Sequence, residues 1–146
     1  MRCLLQKESE IKSCARQLLK TINEVATNNH ATVVGLDGDL GAGKTTLTRA
    51  LASELGVTES VTSPTFVIQK SYPLTNHPQF GNLVHIDAYR LEGVDSLSFL
   101  DWERSVSDPH NLILVEWPGY IASFMPPHIF TVKIEHVDET SRRVSW

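Results

Sequence analysis

The sequence predicts an α/β protein with an open, mostly parallel β-sheet, flanking helices and antiparallel edge strands. Short β-branched or aliphatic runs, typical of buried strands, alternate along the chain with segments of helical periodicity. A glycine-rich loop follows the first of these central strands and precedes a helix, which places it at the carboxyl edge of the strands, where open sheets bind ligands. The chain has 146 residues, so we expect a single domain over residues 1–146.

The first half of the chain predicts two helices around one strand. From about Lys7 to Val25 the apolar residues fall on one helical face and charged residues occupy the rest. After a polar break, Ala31–Leu36 is β-branched and apolar, which predicts the first central strand. Lys44–Leu55 repeats apolar residues at three- and four-residue spacing and is followed by Gly56, a typical helix stop.

The second half predicts further strands joined by short helices. The strand candidates are Phe66–Tyr72, Leu83–Asp87, Leu112–Glu116, Ile129–Val137 and Arg143–Trp146. Short helices are expected within Gly93–Val106 and around Tyr120–Phe124. The uninterrupted apolar run before Glu116 is typical of a strand buried on both faces of a parallel sheet. The alternating pattern of 129–137 predicts a strand on the edge side of the sheet, with 143–146 as its partner.

The segment Gly38–Thr45 fits the phosphate-binding pattern G-x-x-x-x-G-K-[ST] and has the required strand before it and helix after it. Its main-chain N–H groups and the positive end of the helix are expected to face phosphate oxygens. Lys44 would contact the β- and γ-phosphates, and the Thr45 hydroxyl would bind Mg²⁺. The alternative is a glycine-rich turn without a ligand. The predicted nucleotide-binding residues of the loop are Gly38, Asp39, Gly41, Ala42, Gly43, Lys44, Thr45 and Thr46.

Two carboxylates are predicted where buried strands emerge at the edge that carries the loop. Glu116 follows four apolar residues, as a metal-binding acid of a nucleotide-hydrolysing site does, and is the stronger candidate ligand for Mg²⁺. Asp87 could hold a metal-bound water or orient the attacking one. Which of the two binds the metal directly stays open, and either could instead cap the helix that follows its strand.

Two further residues are candidates for the same site. Thr65 lies in the hydroxyl-rich loop after the second helix, where a threonine could sense the γ-phosphate, although an ordinary loop hydroxyl is as consistent with the spacing. Trp117 follows Glu116 directly and could cover the site, or could belong to the core.

Composition excludes several classes of function. Lys and Arg number 13 against 17 Asp and Glu, a net charge of −4, so the chain lacks the basic surplus of a protein that binds nucleic acid unaided. No apolar run is long enough for a membrane span, and the N-terminus is too charged for a signal peptide, so a cytoplasmic location is expected. Cys3 and Cys14 are expected as reduced thiols, and the six scattered histidines are given no metal role.

Taken together, the motifs resemble those of the bacterial TsaE family, small P-loop ATPases of tRNA threonylcarbamoyladenosine modification. The resemblance rests on four stretches in the same order and at similar spacing, and it spans nearly the whole chain. They are Gly38–Thr46 (GDLGAGKTT), Ser63–Phe66 (SPTF), His85–Leu91 (HIDAYRL) and Leu114–Pro118 (LVEWP). The segment after Leu91 follows the family's acidic, leucine-rich pattern only loosely.

The resemblance implies a P-loop NTPase-like fold and an ATPase that uses ATP and Mg²⁺. It implies action with a TsaB–TsaD heterodimer, with tRNA contacted only through these partners. In the implied roles Lys44 and Thr45 serve phosphate and metal, and Thr65 is the switch threonine. Asp87 is then catalytic, Glu116 holds the metal and Trp117 flanks the site. The family also uses an N-terminal residue near the base and a late arginine, for which Glu10 and Arg142 are the candidates.

Three other functions remain open from sequence alone. A regulatory GTPase would share the loop and the switch threonine, but the guanine-reading Asn-Lys-x-Asp is absent from the sequence. A small-molecule kinase would need a lid rich in arginine, for which the segments between strands are too short. A nucleotide-gated scaffold without efficient turnover would need no further residues.

Overall fold

The computed structural model describes residues Met1–Trp146. Three α-helices are present: α1 (Ile11–Val25), α2 (Lys44–Glu54) and α3 (Trp102–Ser107). The strands are β1 (Arg2–Leu5), β2 (Thr32–Asp37), β3 (Gln69–Pro73), β4 (Asn82–Asp87), β5 (Asn111–Glu116), β6 (Phe130–His136) and β7 (Arg142–Ser145). Short 3₁₀ helices cover Glu8–Glu10, Tyr89–Leu91, Ser98–Leu100 and Pro118–Phe124.

All seven strands form one sheet in the order β1-β7-β6-β2-β5-β4-β3. The four central strands, β6, β2, β5 and β4, are parallel neighbours. β3 pairs antiparallel with β4 at one edge, and β7 and β1 pair antiparallel at the other. The predicted fold, a mostly parallel open sheet with antiparallel edge strands, is confirmed.

Helices cover both faces of β5, which explains its continuous apolar run. Leu112 and Leu114 pack in the larger of two core clusters, together with α1 and α2. Ile113 and Val115 point to the opposite face and pack in a second cluster with Trp102 of α3. Because successive side chains of a strand alternate between faces, a strand covered on both sides needs apolar residues at every position.

β6 pairs with β7, as predicted, but it is not an edge strand: it lies inside the sheet, between β2 and β7, with β1 beyond. Val132 and Ile134 are buried against the larger core cluster, whereas Thr131 and Lys133 on the other face are exposed. The alternating sequence therefore reflects cover on one face only. An edge strand and an interior strand with one uncovered face give the same pattern.

Two further boundaries differ from the sequence-based expectation. The strand predicted from Phe66 begins only at Gln69, because Ile68 has a left-handed backbone (φ 68°) that interrupts an extended chain. The N-terminal strand β1, which was not predicted, pairs only with β7 and has Leu4 half exposed. The main-chain N–H of Trp146 donates to the Met1 carbonyl at 2.9 Å, so the first and last residues are joined.

None of the helices combines the length and apolarity that a bilayer crossing requires.

Candidate functional site

The parallel arrangement brings the two predicted acids side by side. Glu116 ends β5 and is paired in register with Asp87, which ends β4. On its other side Glu116 is paired with Leu36 of β2, just before the glycine-rich loop. Both acids are buried, with 3% of Glu116 and 7% of Asp87 exposed. The loop and both carboxylates therefore meet at one edge of the sheet, although they are far apart in sequence.

The loop needs glycine at two positions for different reasons. Gly43 has a left-handed backbone (φ 107°) immediately before α2, a conformation that costs other residues free energy. At Gly38 a Cβ atom would lie 2.4 Å from the carbonyl oxygen of Ile134 on β6. The chain can therefore pass close to β6 and then turn into α2, whose positive N-terminal end is directed at the loop.

The ammonium of Lys44 is held by the loop itself. Its Nζ donates to the carbonyl oxygens of Gly38 at 2.6 Å and Asp39 at 2.8 Å. Nζ also lies 3.9 Å from the centre of the Trp117 ring, as in a cation–π contact. Burial lowers the pKa of Lys44, and the charges of nearby carboxylates, Glu116 first, oppose this shift. A positive charge is thus kept in a poorly solvated position with only neutral hydrogen-bond partners.

Glu116 is fixed by contacts from two neighbouring elements. The Thr45 hydroxyl at the start of α2 donates to Oε1 at 2.9 Å and approaches Oε2 at 3.2 Å. From β4, His85 places Nε2 at 2.8 Å from Oε1. Because Thr45 and Glu116 are 71 residues apart in sequence, this contact ties the glycine-rich loop directly to the end of β5.

Asp87 is connected to the loop that follows α2. The Thr65 hydroxyl donates to Oδ2 of Asp87 at 3.3 Å, and the Ser63 and Thr65 hydroxyls lie 2.6 Å apart. The other oxygen, Oδ1, accepts the main-chain N–H of Tyr89 at 3.0 Å. Both oxygens of Asp87 are therefore hydrogen bonded, one of them to the segment that carries the predicted switch threonine.

These elements surround two cavities that share the glycine-rich loop as a wall. The first, about 370 Å³, is lined by Leu40, Gly41, Gly43, Lys44, Thr45, Thr46, Ser63, Thr65, Asp87, Tyr89, Glu116 and Trp117. The second, about 270 Å³, is lined by Leu5, Lys7, Glu8, Ile11, Gly41, Ala42, Gly43, Thr46, Leu47, Ile134, Thr140, Arg142 and Val144. The first cavity is lined by hydroxyls, two carboxylates and the Lys44 ammonium, whereas more of the residues that line the second are hydrophobic.

A family model described as "Threonylcarbamoyl adenosine biosynthesis protein TsaE" matches residues 5–144, a span that contains both cavities. The chain belongs to the TsaE family.

Curated proteins that are similar to this chain are also described as TsaE proteins. A TsaE protein of Streptomyces coelicolor is 53% identical over 89 residues, which cover 58% of this chain and 55% of that protein. A TsaE protein of Bacillus subtilis is 36% identical over 114 residues, covering 78% of this chain and 68% of that protein. The match with the Streptomyces protein thus spans little more than half of its length.

The fold is shared with a solved structure. A crystal structure of Bacillus subtilis YdiB superposes with a TM-score of 0.68 at 28% sequence identity. The superposition covers 99% of this chain and 82% of that one. The TsaE-family chain therefore has the fold of YdiB over nearly its full length.

The oxygen donors of this TsaE-family site suit Mg²⁺ that is shared with phosphate. No group of three or more His, Cys, Asp or Glu side chains is arranged to hold a metal ion. Mg²⁺ usually needs only one or two protein oxygens beside phosphate oxygens and water. The Thr45 hydroxyl and the Glu116 carboxylate, 2.9 Å apart, are such a pair. The residues present thus fit the ion, with Thr45 and Glu116 as the groups that would hold it.

Trp117 lies in the wall of the first cavity. Its backbone is left-handed (φ 59°), which is uncommon for a bulky residue and costs free energy. The ring contacts Tyr89 at 5.2 Å and stacks on Tyr120 at 5.5 Å between ring centres. This turn carries the aromatic ring to the ammonium of Lys44 as the chain leaves β5.

The two candidates for the base end of the site have different surroundings. Arg142 lines the second cavity, and its Nη1 donates to the carbonyls of Asp138 at 3.1 Å and Ser141 at 3.0 Å. Glu10 lines neither cavity. Its Oε2 accepts the main-chain N–H groups of Gln6 and Lys7, and these bonds lower the pKa of Glu10. In this structure Glu10 closes the turn before α1.

Among the residues at the site that were given no role from sequence are Lys7, Glu8 and His85. Lys7 and Glu8 line the second cavity, and Glu8 lies only two residues before the candidate Glu10. His85 contacts Glu116. His85 opens the HIDAYRL stretch, but the motif alone does not indicate a partner for it, and the parallel register of β4 and β5 brings it to the acid.

Proposed function

We propose that this chain is a Mg²⁺-dependent ATPase that acts with a TsaB–TsaD partner complex in threonylcarbamoyladenosine modification of tRNA, next to the anticodon. The observation that carries the proposal is the hydrogen bond between Thr45 at the start of α2 and Glu116 at the end of β5. A hydroxyl and an acid in this relation, beside a glycine-rich loop and its lysine, are the parts that hold a metal–triphosphate in P-loop enzymes.

Each residue has a distinct task in this proposal. The loop amides and Lys44 bind and orient the β- and γ-phosphates, with Lys44 exchanging its two carbonyl partners for phosphate oxygens. Thr45 and Glu116 hold Mg²⁺, which neutralises charge on the phosphates when bound. Asp87 orients the attacking water, and Thr65, hydrogen bonded to Asp87, links its position to the occupancy of the γ-phosphate site.

Partner stimulation is part of the proposal because the site contains few cations. Lys44 is the one lysine among the residues lining the first cavity, and no arginine lines it. In phosphoryl transfer an arginine supplied by a partner can raise the rate by several orders of magnitude. We therefore expect slow intrinsic hydrolysis that rises when the TsaB–TsaD complex is bound. A nucleotide-gated scaffold with negligible turnover is the second candidate, and the same scarcity of cations favours it.

The test is ATP hydrolysis by the purified chain with and without the TsaB–TsaD pair and tRNA. Threonylcarbamoyladenosine formation is followed over many turnovers in the same samples. We expect little hydrolysis alone, a large increase with the pair, and multiple-turnover modification only when all components are present. Modification that proceeds without detectable hydrolysis favours the scaffold. Competition with GTP separates the proposal from a GTPase switch, because ATP is expected to displace GTP.

A further inference from the structure

We propose that His85 is a positioning residue that holds the Glu116 carboxylate in the orientation needed to bind the metal. This inference rests on the proposed function, since it assigns a role to a side chain behind the same site. The carrying observation is the contact of 2.8 Å between Nε2 of His85 and Oε1 of Glu116. Both side chains are almost fully buried, with 0% of His85 and 4% of Glu116 exposed.

The surroundings of the ring assign its hydrogen. Nε2 lies against a carboxylate oxygen, which can only accept when ionised, so Nε2 must carry the hydrogen and donate it. The other ring nitrogen, Nδ1, is buried and has no hydrogen-bond partner. A hydrogen there would be a buried donor without an acceptor, which is costly. A ring with its hydrogen on Nε2 is therefore the one that fits the groups around it.

The contact with His85 makes the two carboxylate oxygens of Glu116 different: one is held by hydrogen bonds and the other is available to a metal. Oε1 accepts from both His85 and Thr45, at 2.8 Å and 2.9 Å, whereas Oε2 has only the longer approach of Thr45 at 3.2 Å. Oε2 therefore keeps free lone pairs for a metal ion or its water. A carboxylate anchored through one oxygen presents the other in a fixed direction, as partners behind metal ligands commonly do.

Packing alone does not require histidine at this position. His85 points to the same face of the sheet as Leu83 on β4 and its register partner Leu114 on β5, both of the larger core cluster, and an apolar side chain would suit these neighbours. What an apolar side chain cannot do is donate to Glu116. The distinguishing variants are therefore His85→Leu, which removes the donor, and His85→Gln, which keeps an N–H group on a side chain of similar reach.

The first test measures metal binding without turnover. Mn²⁺ binding to the chain in the presence of a non-hydrolysable ATP analogue is followed by electron paramagnetic resonance. We expect Mn²⁺ affinity to fall about 10- to 100-fold in His85→Leu, the range typical of lost partners of metal ligands. His85→Gln should stay close to the wild type, and affinity for the metal-free analogue should be unchanged in both. In the Glu116→Gln background His85→Leu should have no further effect, because His85 acts through the carboxylate.

The second test uses the unmodified protein and does not depend on folding of a variant. Long-range proton–nitrogen NMR spectra of the wild-type chain distinguish the two ring nitrogens of His85. We expect a hydrogen on Nε2, donated to Glu116. Hydrogen on Nδ1 alone, full Mn²⁺ affinity in His85→Leu, or equal damage in His85→Gln and His85→Leu each overturns the role of His85. Failure of the wild type to bind Mn²⁺ with the analogue overturns the proposed function itself.

Discussion

Replacing Lys44 with methionine removes the ammonium while keeping an unbranched side chain. The side chain is nearly buried, with 5% of the residue exposed, and its three contacts are two carbonyls and an aromatic ring. In the proposed site the ammonium leaves the two carbonyls for phosphate oxygens. Lys44→Met therefore tests how much of the binding energy depends on that exchange.

The expected loss of binding free energy is the attraction of Lys44 to phosphate minus the hydrogen bonds that Lys44 gives up. A unit phosphate charge about 4 Å from the ammonium, at an effective dielectric constant of about 20, is stabilised by about 4 kcal/mol. The two carbonyl hydrogen bonds that Nζ gives up offset about 2 kcal/mol, at about 1 kcal/mol each. The remaining ~2 kcal/mol corresponds to about thirtyfold weaker binding for each phosphate charge neutralised.

Isothermal titration calorimetry with Mg²⁺ and a non-hydrolysable ATP analogue measures this loss. Lys20→Met, on the exposed side of α1, is the matched control because it makes the same change of net charge away from the loop. Tight binding by Lys44→Met, or an equal loss in Lys20→Met, would refute the assigned role of the loop lysine.

The same variant has a testable effect on folding. Burial lowers the pKa of Lys44 below its ordinary 10.5, so at neutral pH the charged form is less favourable in the folded than in the unfolded chain. Lys44→Met removes this titrating group. As pH rises towards 10.5 the folded chain loses this proton first, so wild-type stability should rise relative to the variant. Thermal unfolding of both proteins at several pH values measures this effect.

Three further outcomes are expected. Glu116→Ala and Asp87→Ala should largely retain nucleotide binding but stop hydrolysis, and normal turnover in both would contradict the roles given to the acids. Gly38→Ala should lose about 1–3 kcal/mol of stability in urea unfolding, because its Cβ would lie 2.4 Å from a main-chain oxygen of β6. Gly119→Ala, whose Cβ would meet no atom within 4 Å, is the control and should be near neutral. Burial lowers the pKa of His128 below 6.5, and the charge of the stacked His30 ring lowers it further. The unfolded chain therefore binds this proton more readily, and the free energy of unfolding should fall as pH drops from about 7 to about 5.5. The fall should be smaller in His128→Phe. Urea unfolding at several pH values measures it, and an equal dependence on pH in both proteins would refute this expectation.

The location of the site could be predicted from sequence because each of its parts ends or follows a strongly apolar strand. Once β2, β4 and β5 are parallel, their carboxyl ends must share an edge, and Asp87 and Glu116 come to adjacent positions in the register. The phosphate-loop pattern supplies the third part. These inferences need only strand identity and direction, which buried apolar runs report well.

The features that could not be predicted depend on which elements pack against each strand, and local sequence patterns do not indicate this. β6 alternates because only one of its faces is covered, so its interior position was missed. The four residues of β1 become a strand only because β7 is there to pair with them. His85 gains its partner from a neighbouring strand, and Glu10 is engaged by the main chain of its own turn. Each of these is a property of long-range contacts rather than of local pattern.

The pairing of the first and last strands has a consequence for the second cavity. Leu5 of β1 and Val144 of β7 both line it, on the far side of the loop from the acids. β1 is hydrogen bonded to the sheet only through β7, so these four residues are easier to detach from the sheet than the central strands. A molecule seated in this cavity would touch both strands and hold them together. Amide exchange at residues 2–5 would then slow when a ligand enters this cavity, and the stability of the chain ends would report whether the cavity is filled.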